Sequence, residues 1–148
     1  MGTWGSTAFE DDTAMEFYDD YCSSEQSVKD LESCLDKVLT RQYNMTELLM
    51  EGFMEPVQAL VYAEIIAASI GKPVDTFPDD EYHNDMETPK IDLNKLGGQI
   101  NSDIRDKAIK ALTKIVEAKD IHLTTLWLES ESFDEWKNYI NGLITRLN

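Results

Sequence analysis

Few residues in this chain have the type and spacing that chemistry requires. Glu64 is the most informative, because it stands in Val61-Tyr62-Ala63-Glu64-Ile65-Ile66-Ala67-Ala68, where almost every neighbour belongs in a core. A carboxylate buried in such a run is costly unless donors surround it. Burial of a carboxyl can also tune it for proton transfer, so a catalytic reading rests on Glu64 with Asp11 or Asp12 near a pocket. The simpler expectation is structural. Glu64 then accepts hydrogen bonds from the Gly2–Ser6 loop or the Trp4 indole and holds that loop on the core. A pocket converging on Glu64 would favour the first reading, and a sealed Glu64 the second.

The other candidates are weaker. Asp79-Asp80-Glu81 with His83 and Asp85 invites a metal, but calcium loops turn on an obligatory glycine and this run has none. A solvated acidic loop is the expectation. Cys22 and Cys34 fall in helical segments and read as small buried hydrophobes; a tetrahedral zinc site would need both histidines, His83 and His122, as well. His122, between Ile121 and Leu123, reads as a hydrogen-bonded histidine at a helix start. Neither histidine has a neighbourhood suited to nucleophilic catalysis. Gly97-Gly98 lacks the Lys-Ser/Thr that follows a phosphate-cradling loop. No catalytic residue, metal ligand or cofactor is therefore assigned.

Charge narrows the partners. The 148 residues carry 29 acids against 13 bases, a formal charge of −16, which opposes binding to phosphate backbones and to anionic membranes. Met1-Gly2 with Ser6 matches the N-myristoylation pattern, yet Glu10, Asp11 and Asp12 stand where an anchor wants bases. The first twenty residues also lack a basic start followed by an apolar block, so a cytoplasmic protein is expected. The charge is uneven. Residues 1–36 hold ten acids and one lysine (−9), residues 75–87 six acids and no base (−6), and residues 90–119 seven bases and four acids (+3). A basic protein partner fits that field, although acidity also simply keeps proteins soluble.

The elements that position these residues read as helices. Asp11 or Asp12 caps a first helix carrying Ala14, Phe17, Tyr18 and Tyr21. Ser27 opens a second with Val28, Leu31, Leu35, Val38 and Leu39 on one stripe. Residues 40–53 are ambiguous, with a short helix from Thr46 to Phe53 as one reading. Pro56 suits the first turn of a third helix ending near Ile70, where Gly71 and Pro73 stop it. Because that helix is apolar nearly all round, it is expected at the centre. Residues 72–100 read as a long, mobile acidic connection with one helical turn at Leu93–Leu96. A fourth helix starts at Asn101, Asp120 caps a fifth, and Ser132…Glu135 has capping-box spacing for a sixth. No segment alternates with period two. The expectation is an all-α, compact single domain of about six helices, with Trp4, Phe9 and Trp127 mostly buried around the central helix.

Met1-Gly2-Thr3-Trp4-Gly5 followed by Phe9-Glu10-Asp11-Asp12 and Ala14 resembles the start of a bacterial family of domains of unknown function, numbered 4259. Ala63–Ala68 with Gly71 and Pro73 resembles its central helix. Ala108, Leu112 and Leu126-Trp127 with Glu129-Ser130, and Trp136 with Leu143 and Arg146, are similar to its later elements. Thr7 departs from it, standing where the family has a second glycine. The resemblance carries no catalytic residues. It implies a small bacterial intracellular domain, with members lying beside secreted toxins as their immunity proteins.

The leading functional expectation is thus a toxin-neutralising immunity protein that binds and occludes a basic effector. An enzyme using Glu64, and an acidic nucleic-acid mimic or adaptor, are the alternatives. The expected contact patch joins Asp19, Asp20 and Glu25 to Asp79, Asp80, Glu81, Asp85 and Glu87, if residues 72–100 fold back near the first helix. Phe77 or Tyr82 is its expected aromatic anchor, since interface energy concentrates in such residues.

Overall fold

A computed structural model of the chain describes residues 5–148. Among them are a short 3-10 turn, Ala8–Glu10, and eight α-helices with no strand: α1 (Asp12–Cys22), α2 (Val28–Thr40), α3 (Glu51–Ser69), α4 (Asp80–Asp85), α5 (Leu93–Gly97), α6 (Ser102–Glu117), α7 (His122–Leu128) and α8 (Phe133–Leu147). The fold is all-α. No helix among the described residues is long and apolar enough to cross a membrane.

Side-chain caps explain most of the helix starts. Asp11, Ser27, Asp79, Asp92 and Asn101 each accept from a backbone N–H of the first turn of α1, α2, α4, α5 and α6 respectively. Two expected caps are absent. Asp120 does not cap α7, which starts from Ile121 instead, and Ser132 caps α8 through no side-chain bond. Residues 119–121 are held differently, by Thr125 Oγ1 donating to the Lys119 carbonyl at 3.0 Å.

The central helix is α3. Its residues from Ala59 to Ala68 are all buried, and it packs against α1, α2, α5, α6, α7 and α8. It begins at Glu51, one turn and a half before the expected start at Pro56. The reason lies upstream. Asn44 Oδ1 accepts from the Thr46 and Glu47 amides, and the Gly52 and Met54 amides already bond to the Leu48 and Met50 carbonyls. The helical ladder therefore runs before proline's fixed φ can open it. The Thr46–Phe53 reading is corrected accordingly: residues 45–50 form turns and residues 51–53 belong to α3.

Residues 72–100 form a strap that contains α4 and α5, and its α4 packs against α1. Gly71, at φ 87°, ends α3 in the left-handed region and turns the chain back. Phe9, buried as expected, meets Phe77 and Tyr18 edge to face with ring centres 5.1 and 5.5 Å apart. Gln26 clamps the far end: its amide donates to the Lys90 carbonyl, and its oxygen accepts from the Asp92 amide at 2.8 Å. Gly97 approaches α3 so closely that a Cβ would lie 2.4 Å from the Ser69 carbonyl oxygen.

Candidate functional site

Glu64 is sealed. Its side chain is 0% exposed, and Arg146 of α8 grips it through two bonds, Nη1 to Oε1 at 2.8 Å and Nη2 to Oε2 at 3.0 Å. The Tyr139 hydroxyl, about two turns earlier on the same face of α8, donates to Oε2. Arg146 also donates to the Lys72 carbonyl at 3.1 Å. Burial, with Glu64 alongside, holds the Tyr139 phenol well above its ordinary pKa, so it remains a donor. This arrangement joins three segments: α3, the start of the strap and α8. The expectation that Glu64 is bonded by the Gly2–Ser6 loop is corrected for Gly5 and Ser6, since its described donors come from α8; Trp4 and residues 2–4 lie outside the described residues. Glu64 is not among the residues that line the surface grooves at Phe77 and at Trp127.

The expected acidic patch is partly assembled. The strap does return to α1. Tyr82 donates to Asp19 Oδ1 at 2.7 Å, and the Tyr18 hydroxyl lies 2.8 Å from His83 Nε2. His83 Nδ1 faces the Thr88 carbonyl at 3.2 Å, so the Nδ1–H tautomer lets Nε2 accept from Tyr18. His83 is buried and its ring nitrogens are both engaged within the fold. Tyr18 and Cys22 lie beneath it, both pushed upward by burial, Cys22 to about 11.

Between α1 and the strap runs a groove of about 670 Å³. Phe9, Phe77, Tyr82, Met15 and Met86 give it an apolar floor, and five carboxylates line it: Asp12, Glu16, Asp19, Asp75 and Asp79. Among the described residues, no lysine or arginine lines it. Of the nine expected contact residues, Asp19, Asp79 and Tyr82 are in the groove. Asp80, Glu81, Asp85 and Glu87 are exposed on or beside α4, with Asp80 3.7 Å from Lys90. Asp20 and Glu25 are exposed at the end of α1 and outside the groove. Two expected free groups are already committed: Asp79 caps α4, and Tyr82 spends its hydroxyl on Asp19. Asp12, Glu16 and Asp75 were not expected there. The spacing of Asp12, Glu16 and Asp19, four then three residues apart, is the signal that places them on one face of α1.

Bases that might have offset these acids serve the frame. Lys107 of α6 pairs with Glu32 and Asp36 of α2 at 2.8 and 3.2 Å. Lys114 donates to the Val38, Leu39 and Arg41 carbonyls at the end of α2, and Arg105 to the last two carbonyls of the chain. Trp127 is largely buried, as expected, and stacks on Trp136 at 5.6 Å with planes 8° apart. His122 does not make the expected side-chain bond: its buried Nδ1 has no hydrogen-bond partner among the described residues.

The family model for the domain of unknown function DUF4259 matches residues 2–139. The chain belongs to that family. No curated protein and no solved structure matches it. For this DUF4259 domain, the functional reading therefore rests on its own geometry: a sealed carboxylate network that holds the frame, and an acid-lined groove open at the surface.

Proposed function

We propose that this domain is a cytoplasmic immunity protein that neutralises a basic bacterial toxin by stoichiometric binding and occlusion. The observation that carries the reading is the groove between α1 and the strap, where five carboxylates and no base surround an aromatic floor. Charge of one sign along a concave surface steers an oppositely charged protein into encounter, while the aromatic floor governs how long it stays. Toxins that cleave nucleic acid carry basic surfaces to hold phosphate, and such a surface is complementary to this groove.

The test is co-expression with the product of each adjacent gene, followed by co-purification, stopped-flow association and growth protection. Charge reversal belongs at Asp12, Glu16 and Asp75, the exposed acids of the groove, because reversing the cap Asp79 would unwind α4. Association that slows about tenfold or more and loses much of its salt dependence supports the proposal. A complex whose association rate and protection survive that triple reversal overturns the placement, and failure of every adjacent product to bind overturns the immunity role.

A further inference from the structure

Among the described residues, five large apolar side chains are strongly exposed, and four of them fall on two segments that pack together. Leu49 (43%) and Met50 (68%) precede α3, while Leu126 (42%) and Leu128 (43%) lie on α7. Gly52 brings the segments into contact, its α-carbon facing His122 so that a Cβ would lie 3.0 Å from the His122 nitrogen. Beside this patch opens a groove of about 410 Å³ with Phe53, Leu123, Leu126 and Trp127 on its apolar side. An exposed apolar patch around a concavity marks an interaction surface rather than an incidental feature. Methionine is dense here too, at Met45, Met50 and Met54, and its flexible thioether suits a surface that moulds to a partner.

The surrounding charge says what kind of partner. Residues 44–55 and 121–136 together carry seven acids, Glu47, Glu51, Glu55, Glu129, Glu131, Asp134 and Glu135, and no lysine or arginine. Glu55 is spent on Arg41 and Tyr43, at 2.7 and 3.0 Å; of the rest, Glu51 is half-buried and the others are exposed. A second copy of the chain, at −16, would meet this acid ring with its own. An anionic bilayer is repelled in the same way. We propose that the face formed by α7 and the start of α3 docks a basic amphipathic helix of a protein partner, whose apolar stripe enters the groove while its lysines and arginines meet the acid ring. The face is separate from the groove over α1, so the inference stands independently of the immunity reading.

The probe is a fluorescently labelled peptide of about 18 residues, five helical turns, with leucine on one face and lysine on the other. A peptide of the same composition in scrambled order is its control. Titration of the full chain at about 0.15 M salt limits non-specific attraction. The amphipathic peptide is expected to bind at least about tenfold tighter than the scrambled one. Met50→Gln with Leu126→Gln leaves the charge unchanged and touches exposed positions only; it should keep the melting temperature and weaken binding about tenfold or more. Asp80→Asn with Glu81→Gln on α4 should change binding less than about twofold. Equal binding of both peptides, retention of binding in the Met50/Leu126 variant, or loss in the α4 variant overturns the proposal. So does sedimentation as a dimer that the Met50/Leu126 substitutions dissociate, which would assign the face to a second copy.

Discussion

Replacing Glu64 by Gln tests whether the buried carboxylate holds the frame, because it keeps the shape and removes the charge. Three donors converge on this 0%-exposed group, two from Arg146 and one from Tyr139. Glutamine offers one acceptor oxygen, and its NH₂ must face a donor. At least one charge-assisted bond is then lost, and the Arg146 cation stays in place without its counter-ion. Removing one member of a buried pair costs about 3–5 kcal/mol. The Arg146 side chain keeps 23% exposure, so water relieves part of that cost and the lower end applies, about 3 kcal/mol. For a chain of 148 residues this corresponds to a melting-temperature drop of about 6–12 °C. Urea unfolding followed by far-ultraviolet circular dichroism measures it directly. The pairing has a second signature: Glu64→Leu combined with Arg146→Met, both apolar and of similar volume, should recover about 2 kcal/mol or more relative to Glu64→Leu alone. A Glu64→Gln protein within about 0.5 kcal/mol of the parent, or a double variant no more stable than Glu64→Leu, would refute the reasoning.

Gly97→Ala must push a Cβ against the Ser69 carbonyl at 2.4 Å, so it should destabilise by about 1–3 kcal/mol in the same unfolding experiment. Burial raises the Tyr18, Tyr21 and Tyr43 phenols, and lifts Cys22 to about 11 and Cys34 to about 12. These groups ionise more readily in the unfolded chain, so their contribution is complete below about pH 9 and is lost as pH rises through the folded values; phenolate absorbance should rise together with cooperative unfolding. The same shifts predict that both thiols of the native protein react with a disulfide reagent at pH 8 at least about tenfold more slowly than those of the unfolded chain, Cys34 more slowly than Cys22. His83→Ala removes the contacts to Tyr18 and Thr88; it should speed cleavage by a glutamate-specific protease within residues 75–92 and lower stability to urea by about 1–3 kcal/mol, because the buried Tyr18 hydroxyl loses its partner.

Where helical periodicity is strong, the elements are legible in the sequence: the stripes of α1 and α2 lie in the core as their spacing demands. The departures have a common physical origin in contacts distant along the chain. Six residues of α4 are too few for helix formation on propensity alone, and they are held by Asp79 at one end and by His83 and Tyr82 against α1, 65 and 63 residues away. The burial of Glu64 was legible from its neighbours, but its donors lie 75 and 82 residues further on. Their only local trace is the seven-residue spacing of Tyr139 and Arg146, which sets them on one face of α8 beside Ile140, Leu143 and Leu147. Charge shows the limit most clearly. Residues 90–119 count as net +3, yet Lys107, Lys114 and Arg105 neutralise acids and helix ends inside the fold. Asp11, Asp79 and Asp92 likewise serve as caps. A sequence fixes how much charge a chain carries, whereas folding decides which charges remain for a partner; here Lys107, Lys114 and Arg105 are spent on joining helices, and five carboxylates line an open groove with no lysine or arginine among its described residues.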